Sequence, residues 1–309
     1  MSAAFLPARA AAEAAAGAQH YPQACVYMVA TPIGNLADLS LRALHVLGLV
    51  DAIACEDTRH TAGLLQAFGL HKPLLALHQH NEREAAQQVI ERLRRGERVA
   101  FVSDAGTPGV SDPGARLCAE AQAQGFRCVP LPGASSVTTL LSVAGLTEGE
   151  GRFAFVGFLP SKGADRQRAL DQLAQQPLAS VVLEAPHRMA ALAKDLAVLG
   201  ERRLTVGREL TKQFEQVLSL RCDGLASWLD ADVSHGKGEF ALLLHPPAAP
   251  ADGAQDELPP ATARALDLLL AELPLKTAVR LCAEITGTPR NAVYQAALAR
   301  RNAASGEED

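Results

Sequence analysis

Residues 102–114 read VSDAGTPGVSDPG. The apolar run VAFV (99–102) feeds straight into them, as a buried strand feeds a loop. Three Gly, two Pro, two Asp, two Ser and a Thr then follow within a dozen residues. Such a loop has backbone freedom but carries acids and no cation. A phosphate-binding loop of the G-x-x-x-x-G-K-[ST] kind would place a Lys here. The segment is therefore read as the strand-tip loop of an α/β sheet, built for a ligand that is not a polyanion.

Working outward from this loop, the same alternation recurs. Apolar strand patterns at 25–30, 52–55, 74–77, 99–102 and 128–131 alternate with helical patterns at 39–49, 58–68, 82–95, 113–124 and 135–144. A βαβ series of this kind predicts a largely parallel sheet in an N-terminal α/β domain over 25–148. Around LTEGEG (146–151) the composition turns to that of a linker. A second α/β domain is expected over 152–246. It has strands at 153–158, 180–183, 204–207, 214–220 and 239–244, and helices at 165–175 and 187–199. Few helices separate its later strands, so antiparallel pairing is expected. PPAAPADGAQDELPP (246–260) is a Pro/Ala linker, and 261–304 reads as a helical module resembling a helix-turn-helix. Residues 1–24 are Ala-rich, carry Arg9 and Glu13, and are read as a flexible tail rather than a signal peptide.

Composition narrows the function classes. Among 309 residues 48% are apolar, enough for real cores, and the formal charge is −5, which argues against a surface coated in basic groups. The six Cys lie far apart with no C-x-x-C, which fits reduced thiols and no zinc site. No apolar run reaches the ~20 residues of a membrane span. These features predict a cytoplasmic protein with no membrane partner and no metal.

Ligands of open α/β sheets sit outside the carboxyl ends of the strands. Four unusual loops fall there: TPIGNLADL (31–39), EDTR (56–59), the opening loop, and PGASS (132–136). Each has a plainer reading as well. Asp38 or Ser40 could cap a helix, Ser135 or Ser136 another, and Asp112-Pro113-Gly114 could be only a turn. In the second half, EAPHR (184–188) and GRELTKQFE (207–215) put charges at strand ends. His78, His80, His187 and His235 are acid–base candidates, with a surface role the plainer reading of each.

Taken together, VATPIGNLADLSLRAL, CEDTR, SDAGTPGVSDPG, PGASSV, EAPHR and RELTKQFE, in this order and spacing, resemble the 16S rRNA cytidine-2′-O-methyltransferases of the tetrapyrrole-methylase superfamily. The resemblance covers roughly residues 25–300. It implies a two-domain fold with S-adenosylmethionine in the cleft, no metal, a homodimer, and 16S rRNA of the small ribosomal subunit as substrate. The family pattern implies Pro32, Asp104, Ala105 and Gly106 around the cofactor, with Val110, Ser135 and Ser136. It also suggests contacts near 184–187 and 238–240.

For ribose 2′-O-methylation the hydroxyl must lose its proton, and Glu56, Asp57, His187 and a neutral Lys212 are candidate bases. Arg59, Arg188 and Lys212 could instead hold RNA phosphates. Residues 261–305 hold six Lys/Arg against three acids, so Lys276, Arg280 and Arg290 are candidate RNA contacts, with dimerisation or packing as the module's other reading. A methylase of a tetrapyrrole precursor would share the fold. SDAGTP in place of the GGDP usual there, the EDTR tetrad and the basic helical tail favour RNA. A cofactor-holding assembly factor without turnover is the reading from a different class.

Overall fold

The structure, a computed structural model, describes residues 6–78, 81–247 and 258–305. His80 and most of the expected Pro/Ala linker lie outside the described residues. The chain divides into two compact units, Met1–Pro246 and Pro247–Asp309.

The first unit opens with helix α1 (Leu6–Ala16), where a flexible tail was expected. The Ala-rich face is flat enough to lie close on the domain. Ala12 and Ala16 are buried, Arg9 donates to the Gly69 carbonyl at 3.1 Å, and Glu13 pairs with His45 at 3.0 Å. Then follow β1 (Cys25–Val29), α2 (Leu41–Leu49), β2 (Ala52–Cys55), α3 (Thr58–Ala67) and β3 (Leu74–Ala76). The half is completed by α4 (Glu82–Arg94), β4 (Arg98–Val102), α5 (Gly114–Ala123), β5 (Arg127–Leu131) and α6 (Ser136–Val143).

The strands order as β3-β2-β4-β1-β5, and every pairing is parallel. Helices cover both faces, so the central strands are apolar throughout: AIAC of β2 is buried at all four positions. One face packs Tyr27, Leu47, Ile53 and Phe68 together. The other packs Ile90, Leu93, Phe101 and Leu117. Helix starts follow local chemistry. Ser40 caps α2 through the Ala43 N–H at 3.1 Å, and Asp57 caps α3 through the N–H groups of Arg59 and His60.

The second half contains β6 (Phe153–Phe158), α7 (Gly163–Gln175), β7 (Ala179–Glu184), α8 (Met189–Leu196), β8 (Arg203–Arg208), β9 (Gln216–Arg221), α9 (Leu225–Ala231) and β10 (Phe240–Leu244). Its sheet runs β6-β7-β10-β8-β9. Only β6–β7 is parallel, as the scarcity of helices predicted. Helix α9 was not anticipated, because seven residues are too short to display a helical period. The last strand, β10, lies in the middle of this sheet. A shared apolar cluster fastens the halves together: Ile33, Val137 and Leu140 from the first pack with Val181, Leu210 and Leu243 from the second.

The C-terminal unit comprises α10 (Pro260–Glu272), α11 (Leu275–Thr286) and α12 (Arg290–Ser305), closed around Leu266, Val279, Cys282 and Val293. The helical character expected over 261–304 thus takes the form of three helices. No helix among the described residues is long and apolar enough to cross a membrane.

Candidate active site

Strands β1 and β4 are neighbours, and the loops leaving their carboxyl ends meet. The Thr31 N–H donates to the Gly106 carbonyl at 3.0 Å, and the Gly106 N–H returns to the Thr31 carbonyl at 3.1 Å. Gly106 holds φ +84°, a conformation that L side chains rarely adopt, and this lets the opening loop turn back over the sheet edge. The EDTR loop is tied on beside it by a reciprocal pair: the Asp104 N–H donates to Glu56 Oε1, and the Asp57 N–H to Asp104 Oδ1, both at 3.1 Å. Asp112 accepts from the N–H groups of Gly109, Val110 and Gly114. It is thus a turn residue, as read, and also faces the cleft.

The cleft has a volume of about 460 Å³. Its first wall brings together Glu56, Asp104, Ala105, Val110 and Ser136 of the expected residues, with Ile33 and Asp112. Pro32, Gly106 and Ser135 are chain neighbours of lining residues rather than lining residues themselves. Ser135 occupies the cap position of α6, yet its side chain makes no capping bond. The second wall comes from strand ends of the other sheet, among them Glu184 and Pro186 after β7, Gly207 of β8, and Glu239 and Phe240 at β10. None of the lining residues carries a positive charge, which agrees with the reading of the opening loop.

The candidate bases separate clearly. Glu56 lines the cleft, and burial, reinforced by the charges of Asp104 and Asp112, raises its pKa despite the hydrogen bond from the Asp104 N–H. Asp57 is bound to Arg59 by the side chain and by the backbone N–H, which drops its pKa to about 2. Lys212 Nζ lies 2.8 Å from Glu209 and 3.1 Å from Glu239. Burial works to lower its pKa, but the two carboxylates outweigh that and leave it raised. The neutral amine required of a base is therefore disfavoured. His187 is exposed on the turn after β7 and does not line the cleft.

Lys212 has a visible packing role. A Cβ on Gly34 would come within 2.4 Å of Lys212 Cγ, so the TPIGN loop and the second-half loop touch at Gly34 because there is no side chain there. Arg188 is committed internally, paired with Glu184 at 3.0 Å and bonded to the Leu159 carbonyl. Arg59 is nearly fully exposed beside Asp57. In the C-terminal unit Lys276, Arg280 and Arg290 are exposed, and Arg280 pairs with Glu284 at 3.2 Å. Glu239 and Phe240 lie in the 238–240 stretch that the family pattern suggested, and Gly207 opens the GRELTKQFE motif. They reach the cleft through strand pairing that joins distant segments.

The profile of the Tetrapyrrole (Corrin/Porphyrin) Methylases matches residues 25–226, and that of the RsmI C-terminal HTH domain matches 256–301. The chain is 47% identical over 278 residues to ribosomal RNA small subunit methyltransferase I of Pseudomonas aeruginosa, spanning 89% of this chain and 97% of that one. With its namesake in Escherichia coli O157:H7 it shares 45% over 278 residues, or 89% and 95% of the two chains. The chain belongs to the ribosomal RNA small subunit methyltransferase I family of tetrapyrrole methylases. The fold agrees with the wider superfamily. A diphthine synthase superposes with TM-score 0.57 at 16% identity, over 72% of this chain and 90% of that one. Uroporphyrin-III-C-methyltransferase from Thermus thermophilus gives 0.51 at 21%, over 72% and 94%.

Proposed function

We propose that the chain transfers a methyl group from S-adenosylmethionine to the ribose 2′-oxygen of a cytidine in 16S rRNA of the small ribosomal subunit. The observation that carries this reading is a cleft in which carboxylates and small residues converge and no cation intrudes. A nucleoside with a positively charged sulfur and no phosphate fits such a lining. Ala105 and Ser136 leave room for a ring, and the carboxylate of Asp104 can accept from hydroxyl or ammonium groups. These residues, with Val110, Ser135 and the Pro32 and Gly106 backbone, are proposed to hold the cofactor. S-adenosylmethionine supplies an electrophilic methyl group on a cationic sulfur.

The protein's part is positioning and proton removal. The two walls would hold the ribose hydroxyl in line with the methyl group, and such orientation supplies a large share of barrier reduction. Glu56 is the proposed acceptor of the hydroxyl proton, because it faces the cleft and its raised pKa makes it a stronger base than Asp57. Arg59 and the exposed cations of the C-terminal unit are proposed to contact RNA phosphates. We also propose a homodimer in the cytoplasm, where ribosomal RNA resides. The exposed apolar side chains Phe153, Phe155 and Val156 on edge strand β6 support the dimer.

The test is incubation of purified protein with labelled S-adenosylmethionine and small subunits from a strain lacking the gene. Label in 2′-O-methylcytidine after digestion is the expected result. Label in a porphyrinoid instead, or cofactor binding with no transfer, would replace this reading.

A further inference from the structure

Glu184 ends β7 and its side chain has no exposure to solvent, although it lines the cleft. One oxygen is fully engaged: Oε1 accepts from the Ala185 N–H at 2.9 Å and from Arg188 at 3.0 Å. The other, Oε2, is buried, and no donor among the described residues reaches it. A buried carboxylate oxygen left in this state costs free energy that a bound donor recovers. The fold therefore holds an acceptor ready in the wall of the cleft.

The surroundings define the donor. Arg188 already balances the charge, so a second cation is not called for. Leu183, Pro186, Phe158 and Phe240 make that wall apolar and suited to a flat ring. We infer that Glu184 Oε2 accepts a hydrogen bond from the exocyclic amine of a nucleobase bound in the cleft, and so selects an amino-bearing base. This rests on the function proposed above, in which two such bases enter: the adenine of the cofactor and the target cytosine, whose N4 amine is a natural partner of a Glu carboxylate. The amine is the shared chemistry, and binding and transfer measurements distinguish its source.

The first measurements use the unaltered protein. Its affinity for S-adenosylhomocysteine is compared with that for the analogue lacking the 6-amino group. Its transfer to small subunits carrying cytidine is compared with transfer to subunits carrying uridine at the target position. One of the two comparisons should show a preference of about tenfold or more for the amino-bearing ligand, as for a hydrogen bond to a charged group.

Glu184→Gln offers one acceptor atom to three donors, so it should abolish most of that preference. Loss of preference in cofactor binding assigns the amine to adenine, and loss in transfer assigns it to cytosine. Absence of both preferences in the unaltered protein overturns the inference whether or not the variant folds. So does a Glu184→Gln protein that retains them in full. Failure of the unaltered protein to bind S-adenosylhomocysteine at all would instead sink the proposed function.

Discussion

Glu56 and Asp57 are adjacent carboxylates with opposite environments. Burial raises the first, while Arg59 and the start of α3 hold the second at a pKa of about 2. Removing Glu56 as Glu56→Gln keeps the acceptor for the Asp104 N–H but not the base. Turnover should fall by ~10²–10⁴-fold, the usual contribution of a general base, with cofactor affinity little changed in calorimetry. Stability should move the other way. A carboxyl whose folded pKa is raised contributes stability at low pH and loses it as pH rises through that pKa. Glu56→Gln should therefore melt no lower than the parent at pH 8, and a clear drop in its melting temperature there would contradict the assignment. At Gly34 a new Cβ would press into the Lys212 stem. Gly34→Ala should cost about 1–3 kcal/mol in urea unfolding, as overpacking does, and weaken cofactor binding.

Strand β10 carries its own titration at its end. His245 is buried, and its Nε2 bonds to Thr205 Oγ1 at 2.9 Å, which in turn lies 2.9 Å from Ser219 Oγ. Burial, with Arg203 nearby, lowers the imidazole pKa despite Glu148. A depressed His contributes stability above its unfolded pKa of about 6.5 and loses it as pH falls below that. Unfolding free energy should therefore decline as pH falls below about 6.5, and His245→Gln should flatten that part of the profile. Helices α11 and α12 offer a different test. The triple change of Lys276, Arg280 and Arg290 to Ala should weaken binding to small subunits. It should also reduce the salt slope by about 1 for each phosphate no longer neutralised, while transfer at saturating substrate persists. An unchanged slope would leave the module to packing or dimerisation.

At the scale of the whole molecule, the parallel sheet was legible because its strands are buried on both faces and read as apolar runs such as VAFV and CVYMV. The loops of the first wall were legible for the same reason, since each follows such a run directly. Helix α1 was not, because its buried face is only alanine and no contrast marks it. The second wall was only half legible. Glu184 stands in a charged motif, but the 238–240 contacts came from the family pattern alone, because Glu239 and Phe240 join Glu56 in the cleft only once β10 is placed between β7 and β8. That placement depends on pairing between segments far apart in the chain, which no local pattern announces. The proposed dimer has its own test at this scale. Phe153→Glu combined with Phe155→Glu should shift the mass measured by light scattering from two chains to one.

Because the last strand of the second sheet is its central one, the ribosome must release β10 before that sheet can close. Domains tend to fold as they emerge during synthesis. The parallel sheet can therefore settle early, while β7 and β8 wait with a gap between them. With the cofactor in the cleft proposed above, a nascent chain arrested before residue 240 would carry the whole first wall, lack Phe240 of the second, and should fail to retain the methyl donor. Activity at that cleft would then be withheld until both α/β sheets have been translated.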